Sequence, residues 1–121
     1  IESCTFYNCR FSEIYFLDII KSKFKNCRFN DSVIRKLREV VIQDCYLESV
    51  TFDNSMCTNT EFKNTRISNS NVSYYTFRNV SLDKNTLFTS CDFHSKIKLM
   101  KKFPDNFVNN SIAGNHHPFV D

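Results

Sequence analysis

A spacing of five residues dominates the pattern of apolar positions along the chain. Successive steps of five from Ile42 all land on apolar residues, and the run is Ile42, Leu47, Phe52, Cys57, Phe62, Ile67, Val72, Phe77, Leu82 and Leu87. Shorter runs with the same step are Ile1, Phe6, Phe11 and Phe16, and then Phe24, Phe29 and Ile34. A period of five matches neither the 3.6-residue turn of a helix nor the alternation of a strand. It predicts a chain built from short internal repeats.

A second set of inward-facing positions lies two residues before each large apolar residue. These positions carry mostly small side chains, among them Cys9, Cys27, Ser32, Thr65 and Cys91. The remaining three positions of each unit are largely Asn, Asp, Lys, Arg, Glu, Ser and Thr. Each unit therefore points one large and one small residue inward and three polar residues outward.

The spacing also predicts how many units make one coil. The steps from Phe16 to Phe24 and from Ile34 to Ile42 are eight rather than ten residues, which we interpret as two shortened units each. Two shorter coils followed by two longer ones then bring a series of apolar residues onto one face, namely Phe6, Phe24, Ile42, Phe62 and Leu82. Four units per coil predict a four-sided solenoid of about four to five coils, with strands about 4.8 Å apart.

Four stretches give the sequence a resemblance to a known family: residues 5–11 (TFYNCRF), 24–29 (FKNCRF), 75–77 (YTF) and 88–96 (FTSCDFHSK). The chain resembles pentapeptide-repeat proteins, which implies an all-β fold, a right-handed quadrilateral β-helix. Phe at the centre, with Cys, Ser or Thr before it, is similar to the large luminal domain of the synaptic vesicle glycoprotein 2 family. The resemblance covers about residues 1–96.

The second resemblance implies a function. The chain would be a non-enzymatic recognition domain in the luminal or extracellular loop of a vesicle membrane glycoprotein of the transporter superfamily. That family is the receptor for botulinum neurotoxins, through a glycan and the exposed edge strand of the final coil. The matching edge here is Phe88, Thr89, Ser90, Cys91, Asp92, Phe93 and His94. Ser90 stands where the family carries a glycosylated Asn, and His94 where it can carry an aromatic residue.

The chain divides by composition into three parts. We expect the β-helix over residues 1–95 and a capping segment over 96–103, where Lys96, Lys98, Lys101 and Lys102 cluster before Pro104. Residues 104–121 are rich in Asn and predict a loosely ordered tail. The repeat is already under way at Ile1, which predicts a piece of something longer.

Composition argues against an enzyme. One Gly in 121 residues excludes glycine-rich phosphate loops and the Gly-x-Ser-x-Gly elbow. His94, His116 and His117 are the histidines, and no Cys or His spacing matches a structural zinc site. We therefore expect no catalytic residues, no metal and no cofactor.

The six cysteines and four N-x-S/T sequons bear on the compartment. Cys4, Cys9, Cys27, Cys45, Cys57 and Cys91 all fall on inward positions, which favours buried free thiols over a disulfide framework. Cys9, Cys27 and Cys45 would stack about one strand spacing apart, within reach of one disulfide. The sequons begin at Asn30, Asn71, Asn79 and Asn109, and we expect N-glycosylation at one or more of them.

Two alternatives stay open at this point. The chain could be a bacterial-type pentapeptide-repeat protein that acts on DNA gyrase by mimicking DNA, or a generic scaffold solenoid. Mimicry of DNA needs a strongly negative surface, whereas the net charge is +3 and outward cations such as Arg10, Arg28 and Arg66 line the rod. We expect a protein partner and no nucleic acid.

Overall fold

The five-residue spacing places one large apolar side chain on each side of a four-sided coil. The computed structural model, which describes residues 1–113, is an all-β parallel solenoid, so the predicted fold class is confirmed. Every strand-to-strand pairing in it is parallel and joins one coil to the next. The faces are numbered here in chain order from the one that carries Phe6.

Short strands form the first two faces. The first face has β1 (Thr5–Tyr7), β4 (Lys23–Lys25) and β7 (Val41–Gln43), and the second has β2 (Arg10–Ser12), β5 (Arg28–Asn30), β8 (Tyr46–Glu48), β10 (Arg66–Ser68), β12 (Leu87–Thr89) and β14 (Phe107–Val108). Longer strands turn corners onto the other faces: β3 (Tyr15–Ile20), β6 (Val33–Arg38), β9 (Thr51–Lys63) and β11 (Asn71–Leu82). The third face is completed by β13 (Asp92–Phe93) and β15 (Ser111–Ile112).

The predicted register of the coils is confirmed residue by residue on the first face. Phe24 pairs with Phe6 on one side and Ile42 on the other, and Phe62 pairs with Ile42 and Leu82. The shorter coils and then the longer ones therefore stack as the repeat arithmetic requires.

One detail of the shortened coils differs from the prediction. The two-residue deficit falls on a single unit, because Ile19 and Leu37 are the inward residues of the fourth face and follow Phe16 and Ile34 by three. The pairing of β6 with β9 consequently shifts register between Ile34 and Leu37, where the longer coil has two more residues than its neighbour.

The corners require a left-handed backbone that this nearly glycine-free chain supplies with other residues. Within residues 1–113, seventeen non-glycine residues have positive φ, from 46° at Asn64 to 58° at Asn8, and eight of them are Asn. Asn tolerates this region better than most residues because its short polar side chain bonds locally. This explains the abundance of Asn in the outward positions.

The interior is a continuous apolar column lined by small polar groups. Phe24, Phe29 and Ile34 are among many side chains with no exposed surface. The small inward hydroxyls are also paired: Thr65 Oγ1 donates to the carbonyl oxygen of Lys63 at 2.9 Å and accepts from the Cys45 N–H at 3.3 Å. These inward Ser and Thr hydroxyls, which we call the hydroxyl ladder, thus accept hydrogen bonds from corner amides that would otherwise be buried without a partner.

The C-terminal part carries the solenoid further than the sequence predicted. The expected capping segment contains helix α1 (Lys98–Lys102), which buries Leu99, and a short 3₁₀ helix follows at Pro104–Asn106. Beyond it β14 pairs with β12 and β15 pairs with β13. In the described part of the chain the second face therefore has six strands, so the prediction of four to five coils falls short by at least one coil.

The expected loosely ordered tail over 104–121 differs from the structure as far as residue 113. Asn side chains hold this segment: Asn106 Nδ2 donates to the carbonyl oxygens of Asp83 and Thr86 at 2.7 and 2.8 Å. Phe107 stacks on Phe88 with ring centroids 4.8 Å apart. In residues 1–113 no helix is long and apolar enough to cross a membrane.

Candidate recognition surfaces

The predicted partner-binding edge, residues 88–94, is not an edge in the structure. β12 and β13 each have a strand on both sides, because β14 and β15 stack on them. The carbonyl oxygens of Cys91 and Phe93 accept N–H bonds at 2.9 Å from Ser111 and Ala113. The reason for the difference is the additional coil, and a partner strand has no open backbone to pair with here.

The side chains of this stretch divide between core and surface. Phe88, Cys91 and Phe93 are buried, Thr89 is half-buried, and Ser90, Asp92 and His94 are exposed. The centroid of the His94 ring lies 4.1 Å from the centroid of the Tyr74 ring, and Tyr74 is 67% exposed. The structure therefore offers a small aromatic pair at this point rather than a binding strand.

The four sequons lie in different settings. Asn71, Asn79 and Asn109 are exposed, but Asn79 Nδ2 donates to Asn59 Oδ1 at 2.6 Å. Asn30 is half-buried, and its Oδ1 is covered and has no hydrogen-bond partner. Glycosylation at these sites stays a prediction, and Asn71 and Asn79 are the two sequon residues that are exposed within a strand, β11.

All six cysteines are free thiols, and four are buried. Burial raises the pKa of Cys45 and of Cys57 to about 12, and it also raises the pKa of Cys27 and Cys91. Cys4 is exposed although its position is inward, because it lies in the first coil of the stack. The four buried thiols are therefore poor nucleophiles.

No candidate metal site was found in the described residues. Within residues 1–113 no group of three or more His, Cys, Asp or Glu is placed to hold an ion. His116 and His117 lie outside the described residues. That the chain is not an enzyme stays a prediction from its composition.

A groove of about 770 Å³ runs along the corner between the first and second faces. It is lined by stacked triplets from successive coils, namely Asn8-Cys9-Arg10, Asn26-Cys27-Arg28, Asp44-Cys45-Tyr46 and Asn64-Thr65-Arg66, and by Asn85. The corner residues are tied together in pairs: Asn26 Nδ2 donates to Asn8 Oδ1 at 2.6 Å, and Asn64 Nδ2 donates to Asp44 Oδ1 at 2.9 Å.

A column of arginines forms one wall of this groove. Arg10 pairs in register with Arg28, Arg28 with Tyr46, and Tyr46 with Arg66, so the guanidiniums rise along neighbouring strands. All three arginines are exposed, and within residues 1–113 none of them forms an ion pair. The guanidinium carbon of Arg28 lies 5.1 Å from the centroid of the Tyr46 ring, a cation–π contact.

Charge repulsion within the arginine column destabilises the fold when no ligand is bound. Like charges directly opposite each other on adjacent strands are destabilising, and Arg10 and Arg28 are such a pair. Asp44 is the acidic residue in the groove wall, and its Oδ1 already accepts from Asn64. A bound anion would remove the repulsion that the fold leaves in place.

The groove was not among the sequence predictions, although the signal for it was present. In the interpretation of the sequence, three of the lining residues, Arg10, Arg28 and Arg66, served only as evidence that the surface of the rod is positive. Arg28 follows Arg10 by the length of one shorter coil, and Arg66 follows Arg28 by the combined length of one shorter and one longer coil. Those spacings place all three in one column.

Comparison with known proteins finds neighbours only among solved structures. No protein-family model and no curated protein matches the sequence. Among solved structures, the chain is similar to Rfr23, a pentapeptide repeat protein from the cyanobacterium Cyanothece 51142, with a TM-score of 0.38, 13% identity and coverage of 72% of this chain and 89% of that one. It is also similar to QnrB1, a plasmid-mediated fluoroquinolone resistance protein, with a TM-score of 0.39, 13% identity and coverage of 93% and 67%.

Proposed function

We propose that this solenoid is a non-enzymatic recognition domain that binds an acidic protein segment along the corner groove. The observation that carries the proposal is the arginine column of Arg10, Arg28 and Arg66, which no acidic side chain of residues 1–113 neutralises. Guanidiniums bind carboxylates in bidentate pairs, and such pairs add orientation as well as energy.

The chemistry of the groove favours carboxylates over a nucleic acid backbone. Grooves that bind single strands combine positive charge with several aromatic platforms on which bases stack. Among the described residues that line this groove there is one aromatic ring, Tyr46, and the guanidinium of Arg28 already lies near it. Asp44 would also repel a continuous run of phosphates. A peptide with spaced acidic side chains meets neither obstacle.

The test is a titration with a defined acidic probe, a fluorescein-labelled peptide of alternating Glu and Ser, followed by fluorescence polarisation. Replacing Arg10, Arg28 and Arg66 together by Ser removes three contacts of about 0.5 kcal/mol each, which predicts about a tenfold loss of affinity. Affinity for the unmodified protein should also fall as the salt concentration rises.

A matched control removes the same charge elsewhere. Lys36, Arg38 and Arg78 lie on the fourth face, outside the groove, and their joint replacement by Ser lowers the net charge by the same three units. We expect this control to change affinity by less than about twofold. An equal loss in both triple variants, or no binding by the unmodified protein, would reject the groove as the site. Far-ultraviolet circular dichroism confirms that each variant is folded.

We further propose a luminal or extracellular setting, as part of a vesicle membrane glycoprotein of the transporter superfamily. The exposed sequons at Asn71 and Asn79 support it, and both lie away from the groove, so their glycans would leave it open. The neurotoxin contact through residues 88–94 is left out of the proposal, because that backbone is paired on both sides.

The compartment is tested by the mass of the protein secreted from animal cells, before and after removal of N-glycans. We expect a loss of mass on removal. Ser73→Ala and Ser81→Ala each destroy one of the two sequons, so each variant should carry one glycan fewer. An unmodified secreted chain would contradict the luminal proposal and leave the groove proposal standing.

Action on DNA gyrase is the second candidate, and it is favoured by the four-sided parallel solenoid, the fold expected of the pentapeptide-repeat proteins that the sequence resembles. QnrB1 is itself described as a fluoroquinolone resistance protein. Supercoiling by purified gyrase in the presence of a fluoroquinolone tests this candidate, and protection by the added solenoid would support it. We rank this candidate second because the arginine column makes the groove positive, whereas mimicry of DNA requires a negative surface.

A further inference from the structure

Three cysteines form a column behind the arginines of the groove. Cys9, Cys27 and Cys45 occupy the same corner of successive coils, since the residues after them pair in register. Each thiol points the same way: the Sγ atoms donate to the carbonyl oxygens of residues 7, 25 and 43, at 3.3, 3.4 and 3.1 Å. In-register stacking brings neighbouring Cα atoms to about 4.8 Å, within the range that a disulfide spans.

The column has one accessible end. Cys9 is half-buried in the first coil, whereas Cys27 and Cys45 are 3% and 5% exposed. The Cys27 thiol also reaches the first coil, because its Sγ donates to the carbonyl oxygen of Phe6 at 3.5 Å. Cys4 is still more exposed, but Ser22 stands over it in the next coil, and the Cys4 N–H donates to Ser22 Oγ at 3.1 Å.

We propose that Cys9 is a thiol–disulfide exchange site that accepts an anionic low-molecular-weight disulfide of the glutathione type and passes the oxidation to Cys27. The groove supplies the recognition, because Arg10 and Arg28 line it beside Cys9 and would attract the carboxylates of such a disulfide. The inference rests on the thiol column and does not depend on an acidic protein partner.

The reaction has two exchange steps. The Cys9 thiolate attacks one sulfur of the disulfide, which forms a mixed disulfide and releases one thiolate that takes up a proton. Cys27 loses its proton and attacks Cys9 Sγ, which forms the Cys9–Cys27 bond and releases the second small thiol. Two protein thiols are oxidised by two electrons, and one small disulfide is reduced to two thiols.

The burial of Cys27 orders the two steps. Desolvation raises the pKa of Cys27, so little thiolate is present and the second step should be the slower one. The mixed disulfide should therefore accumulate before the internal bond forms. The completed bond ties the first coil to the second and closes a loop of about 18 residues, which should raise the thermal midpoint.

The experiment incubates the full chain with oxidised glutathione and follows intact mass and peptide maps over time. We expect one glutathione on Cys9, which then leaves as a Cys9–Cys27 disulfide appears. In Cys27→Ser the glutathione should remain on Cys9, and in Cys9→Ser no internal disulfide should form. Cystamine, a cationic disulfide, should react several-fold more slowly at low salt, and the difference should vanish at high salt.

Cys4 provides the internal control. An adduct on Cys4 has no stacked thiol to displace it, so it should persist, and Cys4→Ser should leave the Cys9–Cys27 reaction unchanged. An adduct that persists on Cys9 as long as on Cys4 would overturn the proposal. A cross-link between another pair, or equal rates with glutathione disulfide and cystamine at low salt, would overturn it as well. Circular dichroism of each variant shows that the solenoid is intact.

Discussion

Truncation of Phe62 tests the stacking of the coils most directly. The Phe62 ring is 1% exposed and lies between Ile42 and Leu82 of the neighbouring coils. Its centroid is 6.3 Å from that of Phe88 on the adjacent face. Phe62→Ala therefore removes a side chain that is covered from above, below and one side.

The expected cost follows from burial and from the rigidity of the site. Returning an aromatic side chain of this size to water accounts for about 1.5–3 kcal/mol. The cavity adds to this, because backbone hydrogen bonds hold the coils about 4.8 Å apart and prevent Ile42 and Leu82 from closing the gap. We expect a total of about 4 kcal/mol, within the usual range for Phe→Ala in a core.

Lys63→Ala, one residue on, is the matched control. The Lys63 side chain is 49% exposed and pairs with Glu61 at 3.1 Å, a surface ion pair whose loss should cost less than about 0.5 kcal/mol. Urea denaturation, followed by circular dichroism and by tyrosine fluorescence, measures both variants. A cost below about 1 kcal/mol for Phe62→Ala, or an equal cost for Lys63→Ala, would refute the reasoning about which residue faces inward.

Three further predictions test thiol accessibility, the hydroxyl ladder and pH. Two thiols, Cys4 and Cys9, should react with a soluble thiol reagent in the native protein and all six after unfolding; prompt reaction of Cys45 without denaturant would contradict the burial. Thr65→Val should cost about 1–3 kcal/mol in a denaturant titration, because buried polar groups lose their partner, and Thr65→Ser should restore most of the loss. Desolvation acts to raise the pKa of Asp83, but hydrogen bonds outweigh it and the net pKa is lowered, so its contribution to stability is full above about pH 4 and is lost as pH falls through the folded pKa. Thermal midpoints of Asp83→Asn should lack this acid-side loss, and an identical pH profile would show that the carboxylate contributes nothing.

The repeat and its register could be predicted because each unit encodes them twice. A large apolar residue marks the middle of each side, and a small residue two places earlier marks the corner. Phe24 and Cys27, for example, are both buried where the period places them. The period thus carries the same information as the strand pairing, since each coil stacks directly on the one before it.

The last coil was not predicted because Asn side chains make its corner hydrogen bonds. In the earlier coils Ser and Thr hydroxyls make the corresponding bonds. Asn110 lies two residues before Ile112, and its Oδ1 accepts from the Cys91 N–H at 2.8 Å while its Nδ2 donates to the Phe88 carbonyl oxygen at 3.0 Å. An Asn-rich sequence with weak apolar spacing gives no sign of these bonds. The order of the segment depends on carbonyl and amide groups that the preceding coil leaves at its edge.

The arginine column escaped prediction for a different reason. Net charge is a sum over the whole chain, whereas the field in a groove depends on which cations share a column. Arg10 and Arg66 are far apart in sequence, yet both line the same wall of the groove. This is visible from the sequence only when the coil lengths are used to align the outward residues as well as the inward ones.

The change in coil length has a consequence for the way the rod comes apart. Between the second and third coils, β6 and β9 lose register over the two additional residues of the longer coil, and Arg35 bridges the gap by donating to the Asn54 carbonyl oxygen at 2.7 Å. The pairing of β7 with β9, by contrast, keeps its register through Ile42 and Phe62. The solenoid is therefore a narrower block joined to a wider one, and we expect the break in pairing on this face to lower the cooperativity between the two blocks. We therefore expect opening that begins at the first coil to pause at this joint, so that the end that carries Cys9 and Arg10 loosens before the wider coils do.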